Sequence, residues 1–170
     1  NLIYPEAKPN YAHIGLAKLE KQGKLKAVIT QNIDNLHQLA GSQNVYELHG
    51  TLYKNYCVKC HKNFDINYVI ESNGIPRCDK CGGIVRPDVV LYEEGLDSQT
   101  IYNAVSAIEE ADVLIVGGTS LNVYPAAGLI DYYRKNKLVL INKSTTPYDN
   151  RANLIIRENI GGVFKEVLNL

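Results

Sequence analysis

A chain of 170 residues with 45% hydrophobic content can bury a sizeable core, and its length fits one domain with at most a small second lobe. Lys+Arg and Asp+Glu balance at 18 each, so the overall charge gives no steering toward nucleic acid or an anionic membrane. No apolar run approaches the roughly 20 residues that span a bilayer and no signal-peptide pattern opens the chain, so a cytoplasmic protein without membrane partners is the expectation.

The chain begins at Asn1 and contains no Met, which reads as a piece whose start lies upstream. Pro5 and Pro9 make the first ten residues an entry loop. Asn10 is placed as a helix N-cap, Ala12, Leu16 and Leu19 recur at helical spacing, and Gly23 supplies the stop. His13 on this helix is expected to be a packed or surface residue. LKAVIT reads as a short buried strand rich in β-branched residues. The stretch after it, Thr30 to Gly50, is dense in polar groups where an α/β protein places its chemistry: Gln31, Asn32 and Asp34 at the strand end, and His49 on a later turn. Within it, IDNLHQLAGS reads as a short helix ended by Gly41, and VYELHG as a strand ending on Gly50.

Cys57, Cys60, Cys78 and Cys81 form two CxxC pairs with 17 residues between them, the spacing of a zinc ribbon. Each pair sets two thiolates on one tight turn, and two turns complete a tetrahedron for a zinc ion. Two disulfides fit poorly with a reducing compartment, and a redox pair fits poorly with loop sequence. Four thiolates close the coordination sphere, so the metal is expected to be structural and His61, beside Cys60, a bystander. FDINYVIESNGIP, between the pairs, is too short to hold a core without the metal.

Arg86 and Pro87 lead into DVVLYEEGLD, where Val89, Val90 and Leu91 read as a strand returning to the larger sheet. SQTIYNAVSAIEEA is an amphipathic helix with Ile101, Val105 and Ile108 on one side. DVLIVGGTSLNVYPAAGLIDYYRKN then LVLIN reads as buried strand, glycine turn, helix and buried strand, a βαβ unit of a parallel sheet. Gly117, Gly118, Thr119 and Ser120 sit at the strand-to-turn junction, where backbone N–H groups and hydroxyls can face a pyrophosphate. Asn142 closes the next strand, where dinucleotide folds place a group on the adenosine ribose, here an amide in place of the usual acid. ENIGGVF is either a segment wrapping a ligand edge or a turn before the last helix.

TQNIDNLH with a following LHG, the two CxxC pairs, RPDVVLYEE, GGTSLNVYPAA and a late IN occur in one order that resembles the sirtuins, the NAD-dependent protein deacylases, from about Pro9 to the C-terminus. The resemblance implies an α/β fold: a Rossmann-like parallel-sheet domain over 1–52 and 86–170 with an inserted zinc-ribbon lobe over 53–85. It implies NAD as co-substrate, structural zinc, and an acylated-lysine protein or peptide as partner. By resemblance His49 is the general base. Gln31, Asn32 and Asp34 line the ribose and nicotinamide region, Gly118, Thr119, Ser120, Asn142 and Lys143 hold the adenosine half, and Ile160 covers the adenine. Val89 and Val90, followed by Tyr92, receive the acyl-lysine. An imidazole, which titrates near neutral pH, suits removal of a proton from a ribose hydroxyl. His37 is assigned to packing or hydrogen bonding.

Two departures from the family stand out. Its opening strand, its glycine-rich loop of the type GAGxSxxSGIPxFR and its lid do not precede Asn1, so this chain is expected to hold the base without the first phosphate cradle. Where the family commonly has Phe-Gly-Glu, this chain has Tyr92, Glu93 and Glu94. Two other readings remain at this stage. One is a sirtuin-like protein ADP-ribosyltransferase. The other is a non-enzymatic ribbon module using Lys54, Lys59, Lys62, Arg77, Lys80 and Arg86, a face diluted by Asp65, Glu71 and Asp79 and lacking an aromatic platform, so nucleic acid is not expected.

Overall fold

The computed structural model describes Tyr4 and residues 6–170. Pro5 of the entry loop lies outside the described residues. The first helix, α1, runs Tyr11–Lys21 because Asn10 caps it reciprocally. The Asn10 side-chain oxygen accepts the N–H of Ala12 at 2.9 Å, and His13 Nδ1 accepts the N–H of Asn10 at 3.1 Å. Its apolar stripe, Ala12, Leu16 and Leu19, packs with Phe164 of the last helix, Ile160–Leu168. A Cβ on Gly15 would lie 2.6 Å from Phe164 Cδ1, so only glycine permits that close a crossing.

Strand β1, Val28–Thr30, pairs in parallel with β2, Val45–Glu47, and the short helix α2, Leu36–Leu39, forms the crossover. The chain then enters an antiparallel sheet of β3 (Gly50–Cys57), β4 (Asn63–Phe64) and β5 (Val85–Val89) in the order β4-β3-β5, with α3 (Ile66–Ile70) inserted. Helix α4, Ser98–Glu110, follows, capped by Asp97 through the Thr100 N–H. Strands β6 (Leu114–Gly117), β7 (Leu138–Ile141) and β8 (Leu154–Ile156) form a parallel sheet in sequence order, and α5 is the closing helix Ile160–Leu168.

Both parallel sheets share one core. Leu48, Ala104, Ile108, Leu121, Ala127, Leu138 and Leu140 are buried in it, with Ile29 and Tyr46 of the smaller sheet packed against them. Burial of each large aliphatic side chain contributes about 1.5–3 kcal/mol. The helix expected over SQTIYNAVSAIEEA is present, with Ala104 and Ile108 buried and Ile101 and Val105 partly buried on the same core.

Five local expectations change. Gly50 does not end the strand before it; it opens β3, because the backbone turns sharply after β2 with Gly50 at φ 72°. The run at Val89 belongs to β5, which starts at Val85 and pairs with β3, not with a parallel sheet. The cysteine cluster explains this: it holds the end of β3 beside the second CxxC turn, so the returning chain pairs Cys57 with Val85. The helix after the glycine turn is a 3-10 helix, Ala126–Tyr132, closed by bonds such as Gly128 N–H to Pro125 oxygen at 3.0 Å. Strand β6 is less buried than its apolar sequence implies, with Ile115 exposed. Finally, Ile160, Gly161 and Gly162 form the first turn of α5, with the Asn159 side chain accepting the Gly162 N–H, and do not form a separate turn before it.

Candidate functional site

The parallel ladder of β1 and β2 places the two loops that follow these strands side by side. Thr30 pairs with Glu47, and the Leu48 N–H extends the ladder to the Thr30 carbonyl at 2.9 Å. One residue further, His49 Nδ1 lies 3.0 Å from the Gln31 carbonyl oxygen. A carbonyl only accepts, so this bond assigns the proton to Nδ1 and leaves the Nε2 lone pair as acceptor. On the other side, the Val90 N–H donates to the His49 carbonyl at 3.0 Å. The chain after β5 is therefore bonded directly to the residue carrying the imidazole. Val89 and Val90 are half-buried, and Tyr92 is wholly exposed at 103%.

Gln31 meets His49 through its main chain, a contact with no signal in side-chain chemistry. Asn32 is exposed, and its N–H is held by the Thr30 hydroxyl at 3.1 Å. Asp34 is half-buried, and one carboxylate oxygen accepts the Leu36 N–H at 3.1 Å, which fixes the turn leading into α2. Asp34 also lines a small cavity of about 140 Å³ with Leu36, Leu52 and Tyr53. His37 faces the other way. Its ring lies 4.6 Å from that of His13, and its Nδ1 is buried without a hydrogen-bond partner among the described residues. Burial first, then the neighbouring His13, pushes its pKa down to about 4, so it is neutral and packs.

A second group gathers at the carboxyl ends of β6 and β7. The Gly118 N–H donates to the Ile141 carbonyl at 3.2 Å, with Gly118 at φ 64°, and Asn142 follows Ile141 directly. The Thr119 hydroxyl accepts the Leu121 N–H at 3.2 Å, which fixes the turn, while Ser120 and Lys143 are exposed. Asn142 donates its side-chain amide to the Ser144 carbonyl at 3.0 Å, and Arg157 donates to the same carbonyl at 2.8 Å. Ile160 presses on the end of β6: a Cβ on Gly117 would lie 2.5 Å from Ile160 Cδ1. Gln31, Asn32, Asp34 and His49 thus form one group and Gly118, Thr119, Ser120, Asn142, Lys143 and Ile160 another. Both lie at the carboxyl ends of parallel strands, joined through the core that contains Leu48 and Leu121.

The four cysteines form a third group. Their sulfurs all lie within 4.8 Å of one another, with Cys57–Cys81 at 3.5 Å and Cys60–Cys78 at 3.6 Å. A disulfide needs about 2.05 Å, whereas a tetrahedron of Zn–S bonds near 2.3 Å sets sulfurs about 3.8 Å apart, so the thiol set fits zinc. The two turns are alike. The Cys57 N–H donates to Lys62 oxygen and the His61 N–H to Cys57 oxygen, while the Cys78 N–H donates to Gly83 oxygen and the Gly82 N–H to Cys78 oxygen. His61 and Gly82 occupy equivalent positions at φ 55° and 69°, so His61 is a turn residue and not a fifth ligand. Burial pushes the Cys57 thiol up, but the N–H groups of Cys60 and Lys59 outweigh it and hold it at about 6, while Cys81, despite the Gly83 N–H, is pushed up to about 12 by the sulfurs around it, so the crowded thiols do not ionise alike. Phe64, Tyr68 and Val69 pack against the cluster and supply what little core this lobe has.

One feature lacks any sequence signal. Arg86 grips Glu94 with both nitrogens, at 2.8 and 3.1 Å, and also donates to the Val89 carbonyl at 2.8 Å. This pair closes the loop that follows β5, and Arg86 holds the Glu94 carboxyl at about 2.

With this geometry in place, comparison with known proteins is direct. A model of the Sir2 family matches residues 1–125. A Clostridium acetobutylicum protein named NAD-dependent protein deacetylase is 67% identical over 168 residues, which is 98% of this chain and 69% of that protein. A Staphylococcus aureus protein of the same name is 49% identical over 98% of this chain and 68% of its own length. Among solved structures, Sir2 bound to acetylated peptide superposes with a TM-score of 0.91 at 40% identity, covering 96% of this chain and 71% of that one. A Sir2 complex with a p53 peptide and NAD+ gives 0.89 at 41% identity, over 96% and 70%. The parallel-sheet α/β architecture superposes on that of these structures.

Proposed function

The chain belongs to the Sir2 family, and from that premise we infer that it is an NAD-dependent protein-lysine deacylase acting on acylated-lysine proteins or peptides, with a structural zinc. The observation that carries the reading is the bond between His49 Nδ1 and the Gln31 carbonyl, which leaves Nε2 as a base at the carboxyl end of a parallel ladder. The co-substrate supplies the ribose carbon that captures the acyl oxygen and the hydroxyl that accepts the acyl group; with water, the products are free lysine, nicotinamide and O-acyl-ADP-ribose.

The chain's own residues have separate tasks in this reading. His49 Nε2 takes the proton of the ribose hydroxyl, while Nδ1 stays tied to Gln31 and stabilises the imidazolium that forms. Asn32 and Asp34, with Gln31, orient the nicotinamide and its ribose. Gly118, Thr119 and Ser120 offer backbone and hydroxyl groups to the adenosine half, with Asn142 and Lys143 on its ribose and Ile160 against the adenine. Val89, Val90 and Tyr92 take the acyl-lysine, and the Val90–His49 bond supports that assignment by setting this run beside the base. Residues 53–85 act as a ribbon lobe inserted in a domain of 1–52 and 86–170, a division supported by the separate apolar cluster around the cysteines.

Among the described residues, no helix is long and apolar enough to cross a membrane. Four unbridged cysteines suit a reducing compartment, and the cytoplasm is the location this reading adopts. Incubation of the full protein with NAD and an acetyl-lysine peptide tests the function. Free nicotinamide with O-acetyl-ADP-ribose is expected, and His49→Ala should cut kcat/KM by about 10²–10⁴-fold. Labelled protein without deacetylated peptide would mark an ADP-ribosyltransferase, and full activity in His49→Ala would remove the histidine from the reaction.

A further inference from the structure

An exposed acidic turn of four residues directly follows the strand junction that carries His49. Val90 is bonded to His49, and Leu91, Tyr92, Glu93 and Glu94 follow it, all exposed. The turn is closed by the Glu94 N–H to the Leu91 carbonyl at 3.1 Å and by the Leu91 N–H to the Glu94 carboxylate at 2.9 Å. Arg86 then clamps Glu94 bidentately and holds the Val89 carbonyl, so the turn is fixed to β5.

Inside this turn, Glu93 stands at φ 72°, in the left-handed region where a side chain is unfavourable and glycine is the ordinary occupant. The loop retains a charged residue there despite that cost, and such outliers concentrate at functional positions. The other acids nearby are committed. Glu94 is neutralised by Arg86, and Asp97 accepts the Thr100 N–H at 2.7 Å and its hydroxyl at 2.8 Å to cap α4. Glu93 takes part in none of the ion pairs among the described residues, and Asp88 on β5 is exposed with the same sign. Beside it, the Tyr92 ring is wholly exposed, an apolar and π face on which the stem of a Lys or Arg can lie.

We infer that Glu93, seconded by Tyr92, is a specificity-determining residue that favours acyl-lysine substrates carrying Lys or Arg beside the modified residue. The inference rests on the deacylase reading and on Val89 and Val90 as the run that takes the acyl-lysine. The carboxylate sits at a set distance from the reacting lysine because the Arg86–Glu94 clamp and the Val90–His49 bond fix both ends of the path between them. An exposed pair of this kind gives a preference of about two- to fivefold, reduced by salt.

The test uses the full protein, NAD and three acetyl-lysine peptides that differ only in flanks of Lys/Arg, Ala or Asp/Glu. The wild type should show a basic-over-acidic kcat/KM ratio that shrinks as ionic strength rises. Glu93→Gln, which keeps the turn and removes the charge, should bring the ratio toward unity, and Glu93→Lys should invert it. Glu93→Gly should match Glu93→Gln; a ratio altered by the glycine alone would assign loop shape and overturn the charge argument. Equal ratios in wild type and Glu93→Gln, with all three peptides turned over, overturn this inference alone. Failure of every peptide to be turned over with NAD overturns the deacylase reading and this inference with it.

Discussion

His49 is bonded on both sides of its Cα: its Nδ1 meets the Gln31 carbonyl at 3.0 Å, and its own carbonyl accepts the Val90 N–H at 3.0 Å. The first bond sets the tautomer and the second sets the backbone from which the ring hangs. Neither depends on a ligand, so the imidazole proposed as the base is pre-aligned by main-chain groups of three separate segments. Such preorganisation is what a proton transfer needs, because the ring does not have to reorient as charge develops.

The residue after His49 makes this alignment sensitive to a single methyl group. Gly50 is at φ 72°, and a Cβ there would fall 2.0 Å from the Asp88 carbonyl oxygen. No rotamer relieves a backbone clash, so β3 and β5 must separate and carry the His49–Val90 bond with them. Gly50→Ala is expected to cost about 2–4 kcal/mol of stability. At a temperature where the variant stays folded, kcat should also fall at least about tenfold. Urea unfolding with kcat measured on the same sample checks both, and unchanged stability would show that the two strands can part without cost.

The path from sequence to this site was uneven for physical reasons. The four thiols at ribbon spacing were legible because spacing alone brings them together, whereas His49 stood out only as part of a polar-rich stretch and its role as base came from the family resemblance. Asn10 and the α1 stripe were equally plain, since caps and helical periodicity are local. Contacts made through the main chain were not legible: nothing in the identity of Gln31 foretells that its carbonyl holds His49. Nor does the sequence assign β5 to the ribbon sheet, because that pairing is imposed by the cysteine cluster at the far end of β3. The apolar run of β6 looked buried, yet Ile115 is exposed, since hydrophobicity marks a strand without saying which face is covered.

Removal of the metal should unfold the ribbon selectively. Only Cys57, Cys78 and Val85 are fully buried in that lobe's cluster, too few to offset the ordering cost of some thirty residues without the ion. Hydrogen exchange after chelation, or in Cys57→Ser, is expected to lose protection across β4, α3 and the second CxxC turn, while α4 and β7 stay protected. Metal analysis of the untreated protein should find about one zinc per chain. Uniform loss of protection would show instead that the ribbon supports the whole fold.

Acid should destabilise the fold through the histidine pair from pH 6.5 downward, with the Glu47 carboxyl, raised first by burial, opposing in the lower part of the window. His37 titrates at about 4 in the folded chain against 6.5 when unfolded, first because it is buried and then because His13 faces it, with Asp34 opposing. His13 is lowered in the same direction, again by burial first. Between pH 6.5 and about 4 the unfolded chain therefore binds more protons than the folded one, and stability falls as pH drops through that window. After allowance for solvent screening the loss is on the order of 1–2 kcal/mol. Denaturant titrations from pH 7.5 to 4.5 should show it, and His37→Gln should flatten the slope without abolishing it. A slope identical in the two proteins would assign the effect to other groups.

The Arg86–Glu94 clamp should matter to substrate binding more than to chemistry. Arg86 presents four contacts from one planar group: both Glu94 oxygens and the Val89 and Pro87 carbonyls. Lysine carries the same charge but cannot make that fork, so Arg86→Lys keeps the electrostatics and loosens the turn. The expected result is a KM for acetyl-lysine peptide raised about three- to tenfold, with kcat within about twofold of the wild type. Glu94→Gln should resemble it. The carboxyl is held at about 2 against 4.5 when free, so its contribution is complete above pH 4.5 and fades only as pH falls toward 2. The KM effect should accordingly be the same at pH 6 and pH 8. A change confined to kcat would instead place the clamp's action on His49, through the Val89–Val90 run to which both are bonded.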